Sequence, residues 1–315
     1  MSGDPEHTDS GVTGPADPTA DRSVVPVILN PTARRGAVLK RIDPLIEAFA
    51  AHGLEARLVR SASEELAAGF AADGARVVGA LGGDGMARSV AAGLVDTDTS
   101  LGIIAGGRGN DLIGKLGIPK DTEGAVANIA AGRDRIIDVL DFDGNLSLSN
   151  VCLGLDSTVQ RHANSAKYIR GRWVYLYGVL RAILPPKSIE LQLTVDGRRV
   201  DFRGLTAGFA NSGRYGGGLK LSPEAKLDDG LIDVVLLRDA FLPRLAVELV
   251  AFMSGRHDRH PHIHFGHARE IHIDTPAGAA PVAIVADGDE IGQTPTAVTI
   301  RPSSLKVRVP DAGSP

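Results

Sequence analysis

The sequence predicts an α/β plus all-β protein: a doubly wound α/β nucleotide-binding domain, then an antiparallel β-sandwich domain, with a cleft between them. Three observations carry that prediction. From Val24 to about Asp111, apolar β-branched runs alternate with segments of helical spacing. Glycine-rich turns close two successive strands of that half, at Gly82-Gly83-Asp84-Gly85 and at Gly106-Gly107-Arg108-Gly109-Asn110-Asp111. Beyond about Ile136 the pattern changes to alternating segments joined by Asp-Gly pairs, a strong two-residue hairpin signal. Repeated β-α units imply a parallel sheet with helices on both faces, whereas successive hairpins imply an antiparallel sandwich.

The elements follow in order. Val24–Leu29 is a continuous apolar run, as a strand buried on both faces requires. Ala37–His52 has helical spacing at Leu39, Ile42, Ile46 and Phe49, with Pro44 as a kink or restart and Gly53 as the stop. Leu54–Val59 is the next strand. Ser61 opens a helix with Glu64 completing a capping box, and Gly74 ends it. The strand Arg76–Leu81, a helix over Ala87–Leu94 and the strand Leu101–Ile104 come next, and Asn110–Leu116 reads as helix. In the second half, Ile136–Phe142 and Leu146–Leu153 form a hairpin about Asp143-Gly144. Ile189–Val195 and Arg198–Leu205 form another about Asp196-Gly197. Further strands fall at Ile232–Leu237, Glu270–Ile273, Val282–Ala286 and Ala297–Ile300.

With 315 residues, 43% of them hydrophobic, the chain suits two domains better than one. They are assigned to residues 24–135 and 136–302. Residues 1–23 hold no branched aliphatic residue except Val12, so they are expected to be a disordered tail and not a signal peptide. No run approaches the ~18 apolar residues of a membrane-spanning helix. Cys152 is the only cysteine, which fits a cytoplasmic protein without an intramolecular disulfide. A formal charge of -4 gives no reason to expect nucleic acid as a partner.

Glycines at a strand-to-helix turn let backbone N–H groups approach phosphates, and a helix N-terminus favours negative charge. Besides the two glycine turns, the loop Asn30-Pro31-Thr32-Ala33-Arg34-Arg35-Gly36 follows the first strand. All three loops lie at carboxyl ends of strands, where open α/β sheets bind ligands. The candidate nucleotide contacts are Asn30, Pro31, Thr32, Gly36, Gly82, Gly83, Asp84, Gly85, Gly107, Arg108, Gly109 and Asn110. Two superficial matches are rejected. Gly109–Leu116 imitates a Walker A loop but ends in Leu116 where Ser or Thr should hold Mg²⁺. Asp141-Phe142-Asp143-Gly144 imitates a kinase metal motif but is a hairpin turn.

These residues carry a family resemblance. Asn30-Pro31 with Gly36, Gly82-Gly83-Asp84-Gly85, and Gly109-Asn110-Asp111 before Leu116-Gly117-Ile118-Pro119 resemble the diacylglycerol kinase/sphingosine kinase superfamily, in its soluble bacterial lipid kinase branch. Ala210-Asn211-Ser212 with Gly216-Gly217-Gly218, Ser222-Pro223-Glu224-Ala225, Asp228–Val234 and Asp287-Gly288-Asp289 continue the pattern in order. The resemblance implies ATP and Mg²⁺ as cofactors and a lipid hydroxyl as acceptor. It implies that residues 303–310 return to the first domain. It implies a metal site at Asp229 with the carbonyls of Lys226 and Leu231, and catalytic acidic residues at Asp84 and Asp289, the latter as base. The family's usual Thr after Gly-Gly-Asp-Gly is Met86 here, its usual Thr before Gly-Asn-Asp is Arg108, and its usual catalytic Glu is Asp289.

Residues 160–187 hold Arg161, Lys167, Arg170, Arg172, Arg181 and Lys187 with Trp173, Tyr175 and Tyr177, and no acidic residue. Such a segment suits an anionic membrane surface, so peripheral attachment at the inner membrane is expected. His257, His260, His262, His264 and His267 lie within eleven residues, but Pro261 and the absence of nearby cysteine argue for a solvated loop and strand over a metal site. The sequence leaves a homodimer open. The readings carried forward are an ATP-dependent lipid kinase, an NAD kinase-like phosphotransferase, and a nucleotide-sensing membrane-binding protein without turnover.

Overall fold

A computed structural model describes residues 24–31, 38–61, 63–107, 109–154, 187–215, 219–239 and 261–311. The tail 1–23, Thr32, Gly36, Arg108, nearly all of the basic segment 160–187, Gly216-Gly217-Gly218, His257 and His260 lie outside them.

The first half contains the strands β1 (Val24–Leu29), β2 (Glu55–Arg60), β3 (Val77–Gly82) and β4 (Ser100–Ala105). The helices α1 (Ile42–Ala51), α2 (Glu64–Ala72), α3 (Asp84–Ala92), α4 (Asp111–Leu116) and α5 (Thr122–Ala131) complete it. The four strands pair in parallel in the order β2-β1-β3-β4. Successive residues of β1, β3 and β4 feed opposite cores, while the edge strand β2 has an exposed face. Val25, Val27 and Leu29 pack with Leu45 and Phe49 of α1 and Val126 of α5, while Ile28 joins Val78, Ala80 and Val90 of α3 on the other face. Each fully buried Leu, Ile or Phe contributes roughly 2–3 kcal/mol, so a continuous apolar run is what a sheet covered on both faces demands.

The second half is built from β5 (Arg133–Phe142), β6 (Asn145–Ser147), β7 (Asn150–Gly154), β8 (Ile189–Val195), β9 (Arg198–Ala210) and the short pair β10 (Arg214–Tyr215) and β11 (Leu219–Lys220). It continues with β12 (Ile232–Arg238), β13 (Ile263–Ala268), β14 (Glu270–Asp274), β15 (Ala283–Ala286), β16 (Asp289–Gln293) and β17 (Thr296–Val309). Its pairings are antiparallel, and it closes over a core that includes Phe142, Leu153, Phe209, Ile271 and Val298.

β17 joins the halves. Its first residues pair with β14, and Lys306 and Val307 pair in parallel with Ser100 and Leu101 of β4. β5 runs antiparallel beside it from Val298↔Phe142 to Val309↔Arg133, with a register shift between Arg301 and Leu305. Buried Asp138 seals that irregularity, accepting from Ser303 N at 2.7 Å and from Gly230 N at 2.7 Å. Among the described residues, no helix is long and apolar enough to cross a membrane.

Several expectations need correction. The cap of α2 is Ser63, whose extended backbone lets its hydroxyl accept from Leu66 N, and Ser61 is not the cap. α3 begins at Asp84, three residues before the expected Ala87, because Gly83 is extended and its carbonyl accepts from both Met86 and Ala87. The expected strand Leu146–Leu153 is two strands. Asp287 takes the N–H groups of Leu148, Ser149 and Asn150, so the chain turns there and β7 pairs with β9 and β15. Helix α5 and the short pair β10–β11 had no counterpart in the sequence reading, whereas β13 is the strand expected around His262 and His264, and it begins only at Ile263. Ala297–Ile300 is only the beginning of the fourteen-residue β17.

Candidate active site

The two glycine turns form one structure. Gly106 N donates to Gly82 O at 2.6 Å. A Cβ on Gly107 would lie 2.5 Å from Gly83 Cα, and one on Gly106 would lie 2.9 Å from Gly82 Cα. Glycine is therefore required here for loop-on-loop contact, in addition to any approach by a phosphate. Asp84 extends across the junction and accepts from Asn110 N at 3.0 Å and Asp111 N at 3.2 Å, which caps α4. Asn110, in the left-handed region, closes its own turn by bonding both Gly107 N (3.3 Å) and Gly107 O (3.2 Å). A Cβ on Gly109 would come 2.8 Å from the Asp84 carboxylate. Met86 packs against Gly82 and is buried in the core of the first domain. Asn30 and Pro31 follow β1 at the same edge of the sheet.

Asp84 is a half-buried residue with an enclosed carboxylate. Desolvation, and then the negative charges of Asp111 and Asp287, push its pKa up to about 7 against the two N–H bonds. A carboxylate so raised is poised to receive a cation or a proton.

The second domain brings a hairpin against this cradle. In the turn between β15 and β16, Asp287 and Gly288 have φ of 49° and 90°. The Asp287 carboxylate accepts from Ser147 Oγ (2.8 Å), Leu148 N (3.0 Å), Ser149 N (2.8 Å) and Asn150 N (3.3 Å). Burial pushes its pKa upward, and nearby Arg88 opposes that. The turn thereby presents Asp289 to α3, where a Cβ added to Gly85 would sit 2.8 Å from Asp289 Oδ2. Arg88, one helical turn beyond Asp84, donates to Ala286 O at 2.9 Å and to Asp289 Oδ2 at 3.2 Å. A crevice of about 320 Å³ continues from there between α3 and the β5–β6 hairpin, past Ser89, Asn145, Ile291 and Arg301.

Lys226, Asp229 and Leu231 lie in the loop before β12, where Asp229 Oδ1 accepts from Leu231 N at 3.1 Å. That loop is anchored to Asp138, and neighbouring Asp228 pairs with Arg135 at 2.8 Å. Its described contacts run to the joint between the halves and not to the glycine loops. Buried Asn211 serves the same joint by donating to Asp138 O (2.8 Å) and Leu148 O (3.2 Å). His264 and His267 lie on the exposed strand β13, and among the described residues no group of three or more His, Cys, Asp or Glu side chains is arranged to hold a metal.

Sequence reasoning missed Arg41, Arg88, Asp138 and Asp287. The Arg41 guanidinium donates to Ala105 O at the start of the second glycine turn and to Thr122 Oγ1 at 2.7 Å. Arg88 had one available signal: it lies one helical turn after the Asp84 that opens α3. Asp138 and Asp287 resemble ordinary strand and turn residues until the fold surrounds them.

Residues 24–142 match the diacylglycerol kinase catalytic domain, and residues 149–309 match the YegS C-terminal NAD kinase beta sandwich-like domain. A diacylglycerol kinase of Mycobacterium tuberculosis (strain CDC 1551 / Oshkosh) is 28% identical over 92% of this chain and 96% of its own. One from Staphylococcus aureus (strain bovine RF122 / ET3-1) is 26% identical over 69% of each. A crystal structure of a candidate diacylglycerol kinase from Bacillus anthracis strain Sterne superposes with a TM-score of 0.76 at 20% identity, over 93% of this chain and 99% of that one. At that identity the structural likeness speaks for the fold alone. The two domain matches, the second covering half of the chain, place this protein in the diacylglycerol kinase family, and it is a kinase.

Proposed function

We propose that the protein uses ATP and Mg²⁺ to phosphorylate the hydroxyl of a lipid of the diacylglycerol or sphingoid type. The observation that carries this reading is the seating of the Asp289 carboxylate on Gly85, at the mouth of the glycine cradle. A lipid hydroxyl is a poor nucleophile until a carboxylate accepts its proton, and that carboxylate must stand where the phosphoryl group arrives. Asp289 comes from the sandwich and Gly85 from the α/β domain, so the acceptor would bind in the cleft between them.

The cradle fits a nucleotide. Helix α3 begins at its edge, and a helix N-terminus favours an anion there. Gly106 N, Gly107 N and Asn110 N are already bonded within the cradle, so the backbone amides of 83–85 and of Gly109, with Arg108, would hold the phosphates, joined by Asn30, Pro31, Thr32 and Gly36. Asp84, raised by burial, fits a divalent cation that would restore its charge. When bound, Mg²⁺ supplies charge neutralisation on the transferring phosphoryl group. Lys226, Asp229 and Leu231 would hold a second cation that stiffens the joint. Asp289 accepts the proton, while Asp287 and Arg88 keep its hairpin in place. Residues 160–187 would bring the enzyme to the membrane surface, where the lipid resides.

The test is transfer of label from γ-labelled ATP to lipids of a membrane extract, with products identified by mass spectrometry. Asp289→Asn should lower kcat at least ~100-fold, the low end of a general base's contribution. Full activity in that variant would remove Asp289 from the mechanism. The description of the sandwich match favours one second reading, phosphorylation of NAD. NADP formed from NAD and ATP, with no labelled lipid, would establish it.

A further inference from the structure

We propose that Arg88 is the positioning residue that holds Asp289 over the cradle, and that this chain relies on it because its candidate base is an aspartate. The inference rests on the reading of Asp289 as base. The side chains of Arg88 and Asp289 are 19% and 58% exposed. An ion pair that open to solvent contributes little to folding. Its value is therefore geometric.

Arg88 grips the hairpin twice, through the Ala286 carbonyl on one side of the turn and the Asp289 carboxylate on the other. The two acceptors belong to paired residues of β15 and β16, so one guanidinium spans the base of the turn. Asp287 fastens the same turn to the β6–β7 corner of the sandwich. The hairpin is thus tied to its own domain by Asp287 and to the nucleotide-binding domain by Arg88. Arg88 emerges one turn after Asp84, from the helix whose first residues belong to the glycine loop. Any motion that opens the cleft between α3 and β16 must break the Arg88 contacts, and closure remakes them with Asp289 beside Gly85.

The length of the side chain explains why this matters. An aspartate reaches about 1.5 Å less far than a glutamate, one C–C bond. A base misplaced by ~1 Å can lose ~100-fold in rate. The Arg88 contact fixes where the carboxylate on that shorter arm stands. A planar guanidinium with several fixed donors can hold a carbonyl and a carboxylate at once, which a lysine ammonium does less well.

The experiment is a set of variants in the full-length protein, assayed with γ-labelled ATP and dioleoylglycerol in phosphatidylglycerol vesicles. Arg88→Met should lower kcat about 10- to 100-fold while KM for ATP stays within about twofold. Arg88→Lys should fall between it and the native enzyme. Adding Arg88→Met to Asp289→Asn should cost less than about twofold more, because a positioning residue has nothing left to position. Adding Asp289→Glu to Arg88→Met should restore part of the rate. Multiplicative losses, or a rise in KM for ATP with kcat intact, would overturn the proposal. An activity-independent arm follows amide hydrogen exchange. In Arg88→Met the peptide spanning 286–293 should exchange faster while the rest of the sandwich does not, and unchanged exchange there would also overturn the proposal. Full activity in Asp289→Asn would remove the base reading instead, and the exchange result would still judge the clamp.

Discussion

The hairpins β8–β9 and β15–β16 turn on the same dipeptide in nearly the same backbone conformation. Asp196-Gly197 has φ of 45° and 79°, and Asp287-Gly288 has 49° and 90°. Both aspartates also fasten their hairpin to a neighbouring corner. Asp196 accepts from Arg269 N (2.9 Å) and Glu270 N (3.0 Å) between β13 and β14. Asp287 accepts four donors between β6 and β7. The electrostatic outcomes are opposite. Backbone N–H bonds hold solvent-exposed Asp196 below the usual carboxylate range, whereas desolvation pushes enclosed Asp287 above it. Turn chemistry is a local property that a dipeptide can specify. Whether the turn is a surface bend or a structural anchor depends on what the rest of the chain packs around it.

The largest expected difference between them is in stability. Asp287→Ala strips the acceptor from several enclosed donors, each costing roughly 1–3 kcal/mol when left unpaired, so a loss of at least about 3 kcal/mol is expected. In Asp196→Ala water replaces the acceptor, and the loss should stay within about 1 kcal/mol. Urea unfolding of both variants measures this directly. Equal losses would mean that enclosure at Asp287 contributes nothing and that the two turns are equivalent.

The pH dependence should separate them next. Asp196 is depressed, so its contribution is present above the unfolded value near 3.8 and is lost as pH falls through the folded one. Asp287 and Asp84 are raised, so they bind protons more tightly folded than unfolded, and stability is lost as pH rises above about 4. For Asp84, moved from 3.8 to about 7, the loss between pH 5.5 and 8 is on the order of 2 kcal/mol. Calorimetry of the metal-free protein should show that fall, and Asp84→Asn should flatten it. Asp196→Asn should leave it untouched and change only the acid limb below pH 4. A native profile that rises between pH 5.5 and 8 would contradict the raised Asp84.

The same distinction explains what the sequence could reveal. The β-α alternation, the two glycine turns and the Asp-Gly hairpins were readable because each depends on neighbours a few residues apart. Asp84 and Asp289 are catalytic candidates through the family pattern alone, since nothing local in the sequence separates Asp289 from Glu290. Asp287 was read as a turn residue, which it is, but its four donors come from residues about 140 positions away. Those donors also divide the expected strand Leu146–Leu153, so one missed contact produced both errors. Arg88 binds acceptors 198 and 201 residues further along the chain, and no helical periodicity could indicate them. Asp138 is recognisable only once Ser303 and Gly230 meet it. The elements followed from periodicity, whereas the groups that hold one domain to the other required the fold.

The smallest expected effect isolates what the two hairpins share. Gly197 and Gly288 both have positive φ, where an alanine costs roughly 1 kcal/mol through its Cβ. Gly197→Ala and Gly288→Ala should therefore lower stability by similar amounts, since neither substitution touches the aspartate's bonds. Their effects on activity should differ. Gly288 immediately precedes Asp289, and the strain it would introduce tilts the candidate base away from Gly85. Gly197 stands at a surface turn fastened to the β13–β14 corner, and its neighbours make no described contact with the cradle. Gly288→Ala should lower kcat about 10-fold, consistent with a sub-ångström displacement of a catalytic group, while Gly197→Ala should leave it unchanged. Paired unfolding and rate measurements decide the matter. If both variants lose the same stability and neither loses rate, the β15–β16 turn is only a turn and Asp289 does not depend on its geometry.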